Sequence, residues 1–195
     1  MLEPPSFASF ADLEREALAC TRCPLAETRT QVVFGVGDPA ADLLFVGEGP
    51  GEQEDLTGEP FVGRAGRLLT SLIEGIGLTR PQVYIANVVK CRPPGNRDPL
   101  PLEIETCRPY LEAQVEFIDP RIVVTLGNFA TKLLLSTKDG ITKLRGQEFP
   151  YRDRSVIIPA LHPSAVLRGG GDALAQARAD FVKVKRALAR TASTR

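Results

Sequence analysis

The chain has 195 residues, with 24 Lys+Arg against 24 Asp+Glu, one His, four Cys and no Trp; this length suits one domain whose core folds without disulfide staples. Formal neutrality and a pI near 6.6 exclude a histone-like or polybasic protein, though not a nucleic-acid binder whose cations cluster locally. The charges separate along the chain: residues 1–62 carry 12 acids and 3 bases, whereas residues 63–195 carry 12 acids and 21 bases.

The start, MLEPPSFASFADLERE, has two prolines and early acids where a signal peptide needs a basic segment and an apolar run. No apolar stretch reaches the ~20 residues of a membrane span. These features predict a cytoplasmic protein with no membrane partner, a compartment where paired cysteines point to metal or redox chemistry before disulfides.

In chain order, a helix is expected over Phe10–Leu18, followed by a loop holding Cys20 and Cys23. A first strand is expected at Asp42–Gly47, then a helix at Arg67–Gly75 with apolar spacing of three and four. The second strand is Val83–Val89. After it, Ile104, Cys107, Leu111, Val115 and Ile118 share one helix face. A third strand at Arg121–Leu126 leads into a short helix near Asn128–Leu135. The fourth strand, Ser155–Ala160, precedes a C-terminal helix carrying Leu174, Ala177, Phe181, Val184 and Leu188, and residues 191–195 are expected to fray. The strands are β-branched and continuous rather than alternating, as in sheets buried on both faces. The prediction is therefore a single α/β domain, 1–195, built as a three-layer sandwich around a mainly parallel four-stranded sheet.

In such sheets ligands sit beyond the carboxyl ends of the strands. That rule selects four loops: Gly47–Asp55, Asn87–Arg97, Gly127–Phe129 and Leu161–Arg168. The first, Gly47-Glu-Gly-Pro-Gly-Glu-Gln-Glu-Asp55, is unsuited to a dinucleotide, because Pro50 removes a donor and Glu52, Glu54 and Asp55 crowd the place of a pyrophosphate. Glycines and carboxylates together fit a flat neutral ligand and acid/base or cation-stabilising work. Cys20, Cys23, Cys91 and Cys107 form a close pair with two distant partners, a plausible four-thiolate set. Zinc, a [4Fe–4S] cluster and two disulfides all remain open on spacing alone.

Gly47-Glu-Gly-Pro-Gly-Glu-Gln-Glu-Asp55, Pro60-Phe61-Val-Gly63, Asn87-Val-Val-Lys-Cys-Arg-Pro-Pro-Gly-Asn-Arg97 and Leu161-His-Pro-Ser164, taken together, closely resemble the family 4, iron–sulfur, uracil-DNA glycosylases. The match runs over about residues 12–190, with the strand contexts in the right order. The resemblance implies hydrolysis of the N-glycosidic bond of deoxyuridine in DNA, with Cys20, Cys23, Cys91 and Cys107 holding a structural [4Fe–4S] cluster.

On the same resemblance, Phe61 stacks on the base and Asn87 reads O4 and N3–H of uracil through its ordered donor and acceptor. His162, the sole histidine, donates to O2 as the uracil leaves. Gly49 and Gly51 stand where the best-known branch of the superfamily carries a water-positioning Asp and a thymine-excluding aromatic. Another carboxylate must then orient water or steady the sugar cation: Glu54 with Asn96 as partner is assigned that task, and Glu48, with Gly49, lines the pocket. The two carboxylate roles are exchangeable at this level.

DNA contact is expected from Lys90, Arg92, Arg97, Ser164 and Arg168, with Lys143 and Arg145 flanking, and Leu167 is a candidate wedge for the gap left by the flipped base. Lys183, Lys185, Arg186 and Arg190 read better as a solvated helix face. The expected partner is uracil-containing DNA, bound by a monomer; a sliding clamp or other repair proteins are partners that the sequence does not specify. Two competing readings are a non-catalytic iron–sulfur or zinc protein for electron transfer or nucleic-acid binding, and a superfamily glycosylase preferring another damaged base.

Overall fold

The four apolar runs become the middle of one sheet. A computed structural model of the chain describes residues 7–192. Its strands are β1 (Val36–Gly37), β2 (Leu43–Gly47), β3 (Tyr84–Asn87), β4 (Ile122–Leu126), β5 (Phe149–Tyr151) and β6 (Ser155–Ala160), ordered β1-β3-β2-β4-β6-β5. The expected parallel strands β3, β2, β4 and β6 lie side by side. The strand count is corrected from four to six, because β1 and β5 add short antiparallel edges. Two and three residues are too few to show a period, and Pro150 disguises β5.

Along β2, Leu43 and Phe45 face one layer while Leu44 and Val46 face the other, as the two-residue period of a strand requires. The first layer is built from α4 (Arg64–Gly75) and α8 (Pro163–Ala192), which bring Leu69, Ile73, Phe181 and Val184 onto the sheet. The second is built from α5 (Pro101–Ile118) and α6 (Asn128–Leu135), through Leu111, Val115, Ile118 and Ala130. α1 (Phe10–Leu18) packs on α5 through Leu13, Ala17 and Tyr110. The three-layer α/β architecture is thus the predicted one. No helix among the described residues is long and apolar enough to cross a membrane.

Several boundaries move toward the strand ends. The first glycine loop does run into a helix, α3 (Glu52–Thr57), behind the short α2 (Leu25–Thr28). α4 begins at Arg64 rather than Arg67. The expected loop Leu161–Arg168 is corrected to a helix start: α8 opens at Pro163 and breaks at Gly170, where φ is 67°. Proline is favoured in a first turn because its missing N–H has no partner there in any case. Thr191 belongs to α8 rather than to a frayed tail, and 193–195 lie outside the described residues.

The turn after α7 (Ile141–Leu144) is pinned to α8 by an ion pair with a buried acid. Asp180 of α8 is buried, and Arg145, just after α7, reaches it at 2.9 Å and also donates to the Gln176 carbonyl at 2.7 Å. Burial raises the Asp180 carboxyl above its ordinary 3.8, with the charges of Arg145 and Lys183 opposing. Protonation of Asp180 therefore favours the folded state, a stabilisation fully present below 3.8 and lost as pH rises through the folded value. Arg145→Met should cost on the order of 3 kcal/mol at pH 7. The deficit, read by urea unfolding, should shrink as the pH falls from 7 to 5.

Candidate active site

The carboxyl ends of the central strands open onto a cavity of about 560 Å³. Asn87, last in β3, stands in parallel register with Gly47, last in β2. A Cβ at Gly47 would fall 2.4 Å from Asn87 Oδ1 and 2.5 Å from Phe61 Cζ, so only glycine lets amide and ring enter the same space. Asn87 is buried, and its Oδ1 has no hydrogen-bond partner among the described residues. A desolvated acceptor left this way costs about 1–3 kcal/mol, a cost that a ligand donor would remove.

Phe61 holds a φ of 55°, an outlier for a bulky residue, and its surroundings enforce it. Arg80 donates to the carbonyls of Phe61 and Pro60 at 3.2 and 2.8 Å. Gly66 presses against the same carbonyl so closely that a Cβ there would lie 1.8 Å from it. The N–H groups of Val62 and Gly63 donate to Glu54 Oε1 at 3.0 and 3.1 Å, while that of Gly51 donates to Oε2 at 3.1 Å. Glu54 therefore clamps the glycine loop to the Phe61 turn. The Phe61 ring packs against the His162 ring, with centroids 5.7 Å apart and planes tilted by 37°.

Glu48 is the contrasting carboxylate. It is partly buried in the cavity wall with no hydrogen-bond partner among the described residues. Burial first, and the negative charge of Asp98 second, raise its carboxyl above the ordinary range. His162 follows β6 beside Gly127, where a Cβ would approach to 3.0 Å. The Ser164 N–H donates to Nδ1 at 3.2 Å, which leaves the ring proton on Nε2. Burial, assisted by the positive charge of Arg168 and opposed by Glu54, pushes the imidazole down to about 4. At neutral pH it is an uncharged donor.

The uracil DNA glycosylase superfamily profile matches residues 34–189. A type-4 uracil-DNA glycosylase of Thermotoga maritima is 49% identical over 80% of this chain and 81% of its own length. Type-4 enzymes of Sulfurisphaera tokodaii and Archaeoglobus fulgidus are 48% and 46% identical, each over 82% of this chain and over 76% and 83% of their own lengths. The chain belongs to the uracil-DNA glycosylase superfamily.

Glu48, Gly49, Glu54, Phe61, Asn87, Asn96, Arg97, His162, Ser164 and Arg168 all line the one cavity. Asn96 does not reach Glu54; its Oδ1 accepts from Arg92 Nε at 2.7 Å. Leu167 is 43% exposed on the first segment of α8. Lys90 must be reassigned from DNA contact: it is fully buried, and its Nζ donates to the Asn87 carbonyl at 2.8 Å and to Gln114 Oε1. An ammonium under the pocket floor cannot meet a phosphate. Arg97 is also committed, to a two-pronged pair with Glu103 at 2.6 and 2.9 Å. Lys143 pairs with Asp139, and Arg145 with Asp180, rather than standing free beside the cavity.

The four cysteines converge. Cys20, Cys23, Cys91 and Cys107 line one small cavity with Arg22, Arg29, Lys90 and Tyr110, and all four thiols are free. Arg29 donates to Cys91 Sγ at 3.3 Å, and the Lys90 N–H donates to Cys107 Sγ at 3.2 Å. Among the described residues no group of three or more His, Cys, Asp or Glu is placed to hold a metal ion.

Sequence reasoning missed Asp98, Asn128, Phe129 and Ile141 in the cavity wall, and Arg80 behind Phe61. Asn128 and Phe129 lay in a loop already selected by the strand-end rule. Arg80 carried no signal, since its role depends on a turn 19 residues away. Because His162 is the sole histidine, its ring protons offer a clean check: in an NMR titration of the folded protein they should shift near pH 4, and a midpoint at the ordinary 6.5 would refute the lowering by burial.

Proposed function

We propose that this chain releases uracil from DNA by hydrolysing the N-glycosidic bond, with the base extruded from the stack into the cavity that Phe61, Asn87 and His162 line. The observation that carries this reading is the unpartnered, buried Asn87 Oδ1. Uracil N3–H is the donor that such an acceptor lacks, and uracil O4 accepts from the Asn87 amide N–H. Cytosine presents an acceptor at N3 and a donor at C4, so both pairings fail and buried groups stay unpaired. Phe61, held in its strained turn, offers a fixed face for the base. Gly49 keeps the loop close to Val89, where a Cβ would approach a methyl to 2.7 Å.

As the bond breaks, negative charge grows on uracil O2. The Nε2–H of neutral His162 donates to it, an interaction stronger in the transition state than in the ground state. Glu54 has its oxygens occupied by three N–H groups, which fixes the carboxylate in place as a charge facing the oxocarbenium-like sugar. Glu48, unpartnered and with raised proton affinity, is the carboxylate suited to orienting water. Asn96, its Oδ1 held by Arg92, keeps its amide N–H groups for the sugar or phosphate. Ser164 and Arg168 contact the backbone beside the flipped nucleotide, and Leu167 enters the gap.

The thiol cavity fits a [4Fe–4S] cluster: the donor set is Cys₄, and N–H groups already point at two of the sulfurs, as suits anionic ligands. Such a cluster is larger than one ion and is held by thiolates set apart around it. It would cross-link the Cys20–Cys23 turn to the chain leaving β3 and to α5, a structural task. An electron-transfer or non-catalytic binding protein has no use for Asn87 and His162 facing one cavity.

On a uracil-containing oligonucleotide, alkali should cleave the abasic product, and His162→Ala should slow release by about 10²–10³-fold. Asn87→Ala protein that stays folded yet releases uracil at the wild-type rate would refute the pocket assignment. For the cluster, iron analysis after anaerobic purification should give about four irons per chain, lost in Cys91→Ala; stoichiometric zinc in a colourless protein would sink it.

A further inference from the structure

The Phe61 turn is held by opposite charges on its two kinds of backbone group. The N–H groups of Val62 and Gly63 go to the Glu54 carboxylate. The carbonyls of Pro60 and Phe61 both accept from one guanidinium, that of Arg80, at 2.8 and 3.2 Å. Arg80 opens the single 3₁₀ turn Arg80–Gln82 that leads into β3. Its remaining bond, at 3.4 Å, goes to the Thr70 hydroxyl on α4.

A half-buried guanidinium is usually paired with a carboxylate. Arg80 is half-buried and has no ion-pair partner among the described residues; Glu59 influences it through charge alone, against the lowering of its proton affinity by burial. Its fork is spent on two successive backbone carbonyls instead, a task that suits a planar head with several donors and not a compact ammonium. Both carbonyls lie on the side of Arg80 while Phe61 keeps its φ of 55°, a conformation that a bulky residue leaves when nothing enforces it. Gly66 gives the Phe61 carbonyl room to point this way, but a missing side chain exerts no pull. Arg80 supplies the pull.

That conformation decides where the ring goes. Phe61 Cζ and Asn87 Oδ1 meet in the space left by the absent Cβ of Gly47, and the ring packs on His162. An ordinary φ would redirect the side chain away from both, because side-chain direction follows the backbone. Arg80 itself is not among the residues that line the cavity. Any influence it has on a bound base therefore passes through the Phe61 turn.

We propose that Arg80 is a positioning residue for uracil binding: through the carbonyls of Pro60 and Phe61 it fixes the ring on which the flipped base stacks. This rests on the glycosylase reading of the cavity. The base meets the ring before and during bond breakage alike, so the contribution is uniform binding, visible in KM and in the affinity for free uracil more than in kcat.

The test uses full-length protein, a single-stranded oligonucleotide with one uracil, and free uracil as competitive inhibitor. Arg80→Met keeps the apolar stem and removes the fork; it should raise KM and the uracil Ki by about 10-fold, the scale of one base–aromatic stack, with kcat within about 2-fold of wild type. In Phe61→Ala protein the same substitution should leave the uracil Ki where Phe61→Ala alone puts it, since a residue that acts through the ring then has nothing to position. Arg80→Lys, which keeps the charge without the fork, carries the same cycle if Arg80→Met lowers Tm below the assay temperature. A Ki unchanged from wild type in the Arg80 variant, or an effect that persists undiminished in Phe61→Ala protein, overturns the proposal. Wild-type protein that releases no uracil from the oligonucleotide overturns instead the glycosylase reading beneath it.

Discussion

The pairing of β2 with β3 is the constraint on which the site depends. Parallel register brings Gly47 opposite Asn87 at the last rung, and the absent Cβ of Gly47 is the space in which the Asn87 amide and the Phe61 ring meet. A one-residue slip would turn Asn87 into a helix-covered layer and carry the apolar set of β3 to the wrong faces. The core layers on either side of the sheet hold that register, so the stability of the sandwich and the geometry of the pocket are one property.

Around that rung, loops are fastened by buried acceptors and donors rather than by apolar packing. Glu54 takes three backbone N–H groups from two loops, Arg80 takes two carbonyls of the Phe61 turn, and Glu103 takes Arg97 together with the Leu100 N–H at the start of α5. Each loop is too short and too rich in glycine and proline to bury much apolar surface. Charge-assisted hydrogen bonds fix such segments to within the tolerance that base recognition requires. The strain stored at Phe61 is held by this scaffold, as is common where a side chain must be presented rather than packed.

Below the pocket, Lys90 joins its two chemical centres. Its backbone N–H reaches Cys107 Sγ while its ammonium reaches the carbonyl of Asn87. The residue between the strand that ends in Asn87 and the cysteine site is thus a buried internal tie. Gln114 completes it by accepting from Lys90 and donating to the Phe34 carbonyl at 2.9 Å. A lysine so placed reads in the sequence as one more surface cation, because a linear pattern does not show which side of a strand end is covered.

The sequence by itself determined the class of fold, the four central strands and the residues that gather at their ends. Those depend on local hydrophobic runs and on the rule that ligands bind beyond the carboxyl ends of parallel strands, both visible in one dimension. It also pointed to the four cysteines as one set. The tertiary structure alone decided which charges are free. Lys90, Arg97 and Arg145 look like Arg168 as letters, yet burial and carboxylates supplied by other elements consume the first three. It likewise decided that Glu54 is a clamp with satisfied oxygens while Glu48 stands unpartnered. Desolvation and hydrogen-bond partners set what a charged group can do, and both are properties of neighbours brought together by the fold.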